Sequence, residues 1–193
     1  MEEILPKFWT YEDYLKFPKE ERVEIIDGVI YNMSPAPSRI HQEIIFELTL
    51  IIGNYIKQNK KPCKVYTAPF DVILVEEGNE VNKAKNVVQP DISIICDKKK
   101  LTEQGCIGTP DMIIEVVSQN NFSHDYIRKL NLYTQFKVKE YWIVNPQNQT
   151  ILVYQLKDNQ DYLPPSLYTF DDKIKVLIFD DLIIDFAQIK EVL

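Results

Sequence analysis

The pattern of hydrophobic and polar positions predicts a chain that mixes helices with strands. In residues 38–58 the apolar side chains recur at helical spacing and form one stripe, which predicts the longest helix. Two further helices are predicted, one directly after Thr10, a favourable N-cap, and one over about residues 123–137. The members of the long stripe are Ile40, Ile44, Ile45, Leu48, Ile51, Ile52 and Tyr55.

Most of the remaining chain has the composition of β-strands separated by turn-forming residues. The segment RVEIIDGVIYNM predicts a hairpin, because its Asp27-Gly28 pair suits a two-residue turn. Two later strands, DISII and MIIEVV, are apolar on both faces, which is typical of a sheet covered from both sides. We therefore expect one α/β domain over residues 1–193, with its core at about 38–156: a mixed sheet flanked by helices, with an N-terminal hairpin extension.

The charge of the chain limits the partners that it can bind. A chain of 193 residues is long enough for one stable core, and its net charge of −7 argues against coating nucleic acid by bulk attraction. Any contact with nucleic acid must therefore be local. Basic patches at residues 57–61 and 98–100 are either solvated loop ends or such local contacts.

Cysteine usage and the N-terminus bear on the compartment. Cys63, Cys96 and Cys106 are an odd number without CxxC spacing, so the sequence predicts neither a disulfide framework nor a zinc site. This usage indicates a reducing compartment. The N-terminal segment lacks the features of a signal peptide, and no apolar run reaches the length of a membrane span. We expect a cytoplasmic protein with no membrane association.

One carboxylate lies in the middle of an apolar strand. In MIIEVV, Glu115 shares a face with Ile113 and Val117, while the other face is equally apolar. A buried carboxylate is costly unless a cation or hydrogen-bond donors meet it. The sequence therefore predicts a partner opposite Glu115.

Two candidate neighbours follow from the pattern. Asp91 begins the strand DISII, and two acids on adjacent strands repel each other unless a divalent cation relieves the repulsion. Mg²⁺ suits such a pair because it binds a few carboxylate oxygens and retains water, and Mn²⁺ is an acceptable substitute. Lys129 lies on the apolar arc of its predicted helix, between Tyr133 and Phe136, where it can stabilise a phosphoester transition state or orient attacking water.

A structural interpretation competes with this one. Asp91, Glu115 and Lys129 can form an ion-pair cluster without catalytic function. Lys129 can also extend outward along its methylene groups or pair with Asp125 one turn earlier.

The same residues resemble a known nuclease signature. Asp91 follows Pro90, and Glu115 comes 24 residues after Asp91, an order similar to that of the PD-(D/E)xK nucleases, in which a lysine lies two positions after the second acid. Here that position is Val117, and Lys129 looks like the migrated lysine of the Uma-type restriction endonuclease family. The resemblance implies that Asp91 and Glu115 are metal ligands and that Lys129 is the catalytic cation. It extends over about residues 8–185 in five ordered blocks: VEIIDGVIYNMSPAPSRIHQEI, VVQPDISII, PDMIIEVVS, DYIRKLNLY and KEYWIVNP.

The resemblance also implies a place at the site for Glu24, His41 and Tyr133. Each has a simpler interpretation that the sequence leaves open. Glu24 can be an edge-strand acid paired with a lysine, His41 a hydrogen-bonded core residue, and Tyr133 a helix-face aromatic with its hydroxyl satisfied.

For function, the resemblance implies a restriction-endonuclease-like fold and a Mg²⁺-dependent endonuclease. Its expected substrate is double-stranded DNA and its expected products are 5′-phosphate and 3′-hydroxyl ends. We expect a homodimer, because cutting two strands is served by two symmetric sites. Two alternatives stay open: a non-catalytic binding or assembly protein that retains the fold, favoured by the acidic net charge, and a phosphodiesterase of RNA or nucleotides.

Overall fold

The computed structural model describes residues 8–18, 21–33, 37–117, 124–158 and 161–193, with the backbone alone for residues 124 and 125. The α-helices in these ranges are α1 (Tyr11–Tyr14), α2 (Arg39–Gln58), α3 (Leu130–Gln135) and α4 (Phe186–Lys190), and α3 directly continues a π-helical segment, His124–Lys129. Short 3₁₀ turns cover Val81–Lys83 and Lys98–Lys100. The strands are β1 (Val23–Ile26), β2 (Val29–Asn32), β3 (Lys64–Thr67), β4 (Asp71–Ile73), β5 (Val87–Val88), β6 (Ile92–Ile95), β7 (Gly105–Ile107), β8 (Met112–Val116), β9 (Glu140–Asn145), β10 (Thr150–Lys157), β11 (Asp161–Tyr162), β12 (Ser166–Thr169), β13 (Lys173–Lys175) and β14 (Ile183–Asp185).

Most strands belong to a large sheet or a small sheet. The large sheet has seven strands in the order β11-β10-β9-β8-β6-β3, with β12 beside β10. Its central strands β8 and β9 are parallel, whereas β6 and β10 pair with them in antiparallel orientation. The small sheet has five strands in the order β2-β1-β5-β4-β7, and β13 pairs with β14 separately.

The large sheet is buried on both faces, as its apolar strands predict. One face packs against α2, α4 and the β13–β14 pair. The other packs against α3 and the small sheet. Each fully buried Ile or Leu in these layers stabilises the fold by roughly 1.5–3 kcal/mol relative to an exposed one.

Local sequence signals explain two elements near the site. Helix α2 begins after Ser38, whose Oγ accepts a hydrogen bond of 3.2 Å from the His41 N–H. Ile40 is 40% exposed, whereas the later members of the predicted stripe are buried or half-buried. The β1–β2 turn has φ values of 52° at Asp27 and 75° at Gly28, which the Asp-Gly pair tolerates.

The predicted fold class, a mixed sheet flanked by helices, is confirmed. The N-terminal hairpin belongs to the small sheet, a layer that the sequence pattern did not reveal. The pattern also did not predict β7, β11, β12, β14 or α4, which have at most five residues each. No helix in the described part of the chain is both long and apolar enough to span a membrane.

The prediction that the cysteines form no disulfide is wrong. Cys63 and Cys96 are disulfide-bonded, and Cys106 is a buried free thiol. The β3–β6 register, in which Lys64 faces Ile95, brings the two half-cystines opposite each other directly outside these strands. Counting and spacing of cysteines missed this pair because its proximity comes from sheet register.

Candidate active site

Asp91 and Glu115 meet where strands β6 and β8 lie side by side. The strands are antiparallel, with Ile92 opposite Ile114. One residue further along this register, Asp91 lies opposite Glu115. The Val116 N–H donates to Asp91 Oδ2 at 2.8 Å, and the Asp91 N–H approaches Glu115 Oε2 at 3.4 Å. The two acids that the sequence singled out are therefore neighbours in the fold.

Lys129 lies between two carboxylates. Its Nζ is 2.9 Å from Glu115 Oε1 and 3.1 Å from Glu24 Oε1. The side chains are 5% exposed for Lys129 and 4% exposed for each acid. This burial excludes the alternative in which Lys129 extends outward into solvent. Glu24 is therefore an acid paired with a lysine, although its strand β1 lies between β2 and β5 and is not an edge strand. Its role at an active site stays a prediction.

Tyr133 completes the environment of Glu115. Its hydroxyl donates to Glu115 Oε1 at 3.0 Å. Burial, and then the charge of Glu115, raise the pKa of Tyr133 well above its usual range. The hydroxyl therefore stays protonated and acts as a donor, which fixes the carboxylate that also contacts Lys129.

The backbone around Lys129 departs from the predicted regular helix. Lys129 ends the π-helical segment, and Tyr133 lies four residues later in α3. Both side chains reach Glu115 from this junction. Arg128 and Asn131 are exposed, whereas Lys129 is buried. Short π-helical segments are rare and are frequent at functional sites. The side chain of Asp125, the alternative partner of Lys129, lies outside the described residues.

His41 contacts the other acid. Its Nε2 lies 3.2 Å from Asp91 Oδ2, and the two side chains are 14% and 18% exposed. His41 is in the first turn of α2, so the start of this helix lies beside the end of β6. The His41 Nδ1 is buried without a hydrogen-bond partner in the described part of the chain. Asp91 and His41 are thus more accessible than the buried group around Lys129.

Gln89, which the sequence did not single out, holds Glu24 in place. Its backbone N–H donates to Glu24 Oε1 at 2.9 Å. Its side-chain amide donates to Asp71 Oδ1 at 2.8 Å and accepts from Arg22 Nη2 at 3.1 Å. The available signal was its position two residues before Asp91 in QPD, and that position alone does not indicate a contact with Glu24.

The donor set fits a hard divalent cation. Asp91 and Glu115 supply carboxylate oxygens from adjacent strands, and Mg²⁺ binds one or two carboxylates while retaining water. Asp91 is 18% exposed, so it is accessible to an ion. In the described ranges no three His, Cys, Asp or Glu side chains converge as metal ligands, so these residues suit a site completed by water or substrate.

The six residues singled out by pattern or resemblance form one connected set of contacts. Asp91 links His41 to Glu115, and Glu115 links Asp91 to Lys129 and Tyr133. Charge, burial and hydrogen bonding together give an anionic centre with one fixed ammonium. Such an arrangement can bind a cation and orient a phosphate ester, and it is equally compatible with a structural ion cluster.

The chain matches one protein family over most of its length. A family model described as "Putative restriction endonuclease" (Uma2) matches residues 11–187. The crystal structure of a protein described as a "putative nuclease belonging to DUF820" from Anabaena variabilis has a similar fold, with a TM-score of 0.74 and 20% identity, covering 94% of this chain and 97% of that chain. The curated proteins include no significant match. The chain belongs to the Uma2 family, because the family match covers far more than half of its residues.

Proposed function

We propose that this protein is a Mg²⁺-dependent endonuclease that hydrolyses double-stranded DNA. The observation that carries the proposal is the buried ammonium of Lys129, which lies 2.9 Å from Glu115 Oε1, with Asp91 opposite Glu115 on the neighbouring strand. The family description supports the same reaction class. Phosphodiester hydrolysis needs oriented water and positive charge near the phosphate, and this donor set offers a place for both.

Each residue of the site has a role in this proposal. Asp91 and Glu115 would hold the metal, which when bound supplies Lewis acidity toward the phosphate and acidifies water. His41 orients Asp91 through Oδ2. Lys129 and Tyr133 orient Glu115 through Oε1, and the Lys129 ammonium stabilises negative charge that develops during the reaction.

The bond changes follow from hydrolysis. Water adds to phosphorus, the bond from phosphorus to the 3′ oxygen breaks, and the departing oxygen takes up a proton. The products are a 5′-phosphate and a 3′-hydroxyl.

The proposed location of this nuclease is the cytoplasm. The Cys63–Cys96 disulfide is an observation against this location, since disulfides are rare in the cytosol.

A non-catalytic binding protein is the second candidate. The observation that favours it is that Lys129 contacts two acids at 2.9 and 3.1 Å, an arrangement that neutralises much of its charge without any ligand. In that case the cluster joins the two sheets and the fold serves recognition alone.

Cleavage of supercoiled plasmid with Mg²⁺ or Mn²⁺ separates these candidates. We expect the wild type to nick plasmid, and Asp91→Asn and Glu115→Gln to lose about 100-fold or more of this activity, the scale of losing one preorganised electrostatic group. The matched control is Asp97→Asn. Asp97 is an exposed acid two residues after the end of β6, the strand that Asp91 precedes, and its replacement should leave cleavage unchanged. Single-stranded DNA and RNA run in parallel test the phosphodiesterase alternative. A folded wild type that cleaves none of these substrates contradicts the nuclease proposal and favours the binding protein.

A further inference from the structure

Helix α2 presents a second apolar surface, separate from the stripe that packs into the core. Phe46 is 63% exposed and Leu50 is 45% exposed on this surface. With Gly53 and Val65 they line a groove of about 430 Å³ between α2 and the edge strand β3. Contiguous exposed apolar surface of this kind is a candidate contact site.

Charges of opposite sign lie at the two ends of this surface. At 3.6 residues per turn, Glu43, Phe46, Leu50, Gly53 and Lys57 fall on one side of α2. From the N-terminus of the helix, this side therefore begins with an acidic side chain, continues with two apolar side chains and a glycine, and ends with a basic side chain. From Glu43 to Lys57 the surface extends over roughly 21 Å, at about 1.5 Å per residue.

We propose that this surface is a self-association interface, in which α2 of a second copy lies antiparallel to α2 across a two-fold axis at Leu50. Residues at equal distances from Leu50 then face each other. Glu43 meets the partner's Lys57, and Leu50 meets the partner's Leu50. Phe46 faces the partner's Asn54, directly after Gly53, whose lack of a side chain leaves the groove open next to Val65.

Charge complementarity is the argument for a second copy. An antiparallel pair brings both acidic ends onto basic ends, so the surface is complementary to itself, as an isologous two-fold interface requires. A parallel pair would oppose acid with acid and base with base. Lys57 forms no ion pair within the described part of its own chain and is exposed, so it is available to a partner. Glu43 contacts Arg39 of its own chain, and its side chain is still 35% exposed toward a partner.

Strand β3 enlarges the same surface. The Ala68 N–H donates a hydrogen bond to the Asp91 carbonyl. Hydrogen-bonded residues alternate along an antiparallel strand, so the backbone groups of Lys64 and Tyr66 also point toward β6. The backbone groups of Val65 and Thr67 point away from the sheet. A sheet edge beside an apolar groove adds area toward the roughly 800 Å² per partner of a standard interface. An extended peptide of another protein is the competing occupant of this edge.

Sedimentation equilibrium of the full chain over a wide concentration range tests the proposal. The wild type is expected to form dimers. Glu43→Lys and Lys57→Glu should each weaken the dimer by roughly tenfold or more, because each places two like-charge pairs in one interface. The double variant Glu43→Lys/Lys57→Glu should restore association. The proposal is overturned if the wild type is monomeric at all concentrations, or if neither single charge reversal changes the affinity of the dimer. The groove would then bind another partner or none.

A cysteine at the two-fold axis provides an independent readout. Under mild oxidation by copper phenanthroline, which takes up the two electrons released as two thiols form one disulfide, Leu50→Cys should cross-link into dimers. Among the native cysteines, Cys63 and Cys96 are paired and Cys106 is a buried thiol. Because Cys63 lines the same groove as Leu50, the cross-linking is done in the Cys63→Ser/Cys96→Ser background, which excludes exchange with that disulfide. The matched control is Leu167→Cys on β12, whose wild-type side chain is 66% exposed. Equal cross-linking of both variants contradicts the assigned axis. Neither readout uses DNA cleavage, so failure here is distinguishable from failure of the nuclease proposal.

Discussion

Glu24 lies 3.1 Å from the ammonium of Lys129, and this contact joins the small sheet to the helical layer over the large sheet. On the other side of the same nitrogen, Glu115 of the large sheet lies at 2.9 Å. The ammonium thus balances two carboxylates that would otherwise repel each other in a buried region. Contacts within the protein therefore hold both acids in place, which is what a preorganised site requires.

Removing this ammonium should destabilise the fold. Lys129→Met keeps most of the side-chain volume but leaves Glu24 and Glu115 without their shared cation. We expect a loss of about 3–5 kcal/mol at neutral pH, the usual cost of breaking a buried ion pair. Denaturant unfolding measures it.

The matched control removes a lysine from an exposed pair. Lys83 lies 2.8 Å from Glu80, and both side chains are at least 70% exposed. Lys83→Met should leave the unfolding free energy nearly unchanged. Equal losses in the two variants would show that the Lys129 cluster is not a buried ion pair.

The hydroxyl of Tyr133 should contribute to the stability of the fold. Tyr133→Phe removes the donor that lies 3.0 Å from Glu115 Oε1, and we expect a stability loss of about 1.5–3 kcal/mol, typical for a hydrogen bond to a charged group. The pKa of Tyr133 is raised well above its usual range, chiefly by burial, so the contact should persist into alkaline pH. Unfolding of this variant beside Tyr168→Phe, at a half-buried position on β12, measures the effect. Equal losses at the two positions would contradict it.

Glu140 should make the fold less stable as the pH rises. Burial raises the pKa of Glu140 from 4.5 to about 7, despite hydrogen bonds from the Trp142 indole and the Ile178 N–H. Because the folded state holds the proton more tightly than the unfolded state, its stabilisation is complete below about pH 4.5. It is lost as the pH rises through about 7, with a total loss of roughly 3 kcal/mol.

Unfolding free energies of the wild type and Glu140→Gln between pH 4 and 8 measure this dependence. The variant should lack the decline assigned to Glu140, whatever its absolute stability. The matched control Glu76→Gln removes an exposed acid and should retain the wild-type slope. A Glu140→Gln slope equal to that of the wild type would assign the pH dependence to other groups.

The disulfide should contribute measurably to stability. Cys63 and Cys96 are separated by 33 residues, and closing a loop of this length stabilises a fold by roughly 3–4 kcal/mol through the entropy of the unfolded chain. We expect a reducing agent to lower the unfolding free energy of the wild type by this amount. The double variant Cys63→Ser/Cys96→Ser should be insensitive to the reductant. A wild type that is equally stable with and without reductant would show that the pair contributes nothing.

The sequence predicted those parts of the fold that local patterns determine. The long stripe from Ile40 to Tyr55 predicted α2, and the Asp27-Gly28 pair predicted the hairpin, because helical period and turn chemistry are local properties. The small sheet was not predicted, since pairing of β1 with β5 and of β4 with β7 joins distant segments. The same reason explains the missed disulfide.

The site shows the same division between local and distant information. Burial of Glu115 in an apolar strand required a partner, and the structure supplies Lys129. The contact between Glu24 and Gln89 depends on how the small sheet packs, and no local pattern reports it. The π-helical segment ending at Lys129 was also missed, because helical periodicity assumes a regular α-helix.

Equilibrium binding of Mn²⁺, followed by electron paramagnetic resonance with Mg²⁺ as competitor, tests most directly whether Asp91 and Glu115 form a metal site. We predict that the wild type binds Mn²⁺, that Mg²⁺ displaces it, and that Asp91→Asn and Glu115→Gln lose about 10–100-fold or more in affinity, while Asp97→Asn keeps the wild-type value. Wild-type protein that is folded but binds no Mn²⁺, or binds it as tightly without either acid, would contradict the assignment and leave these residues as a structural ion cluster.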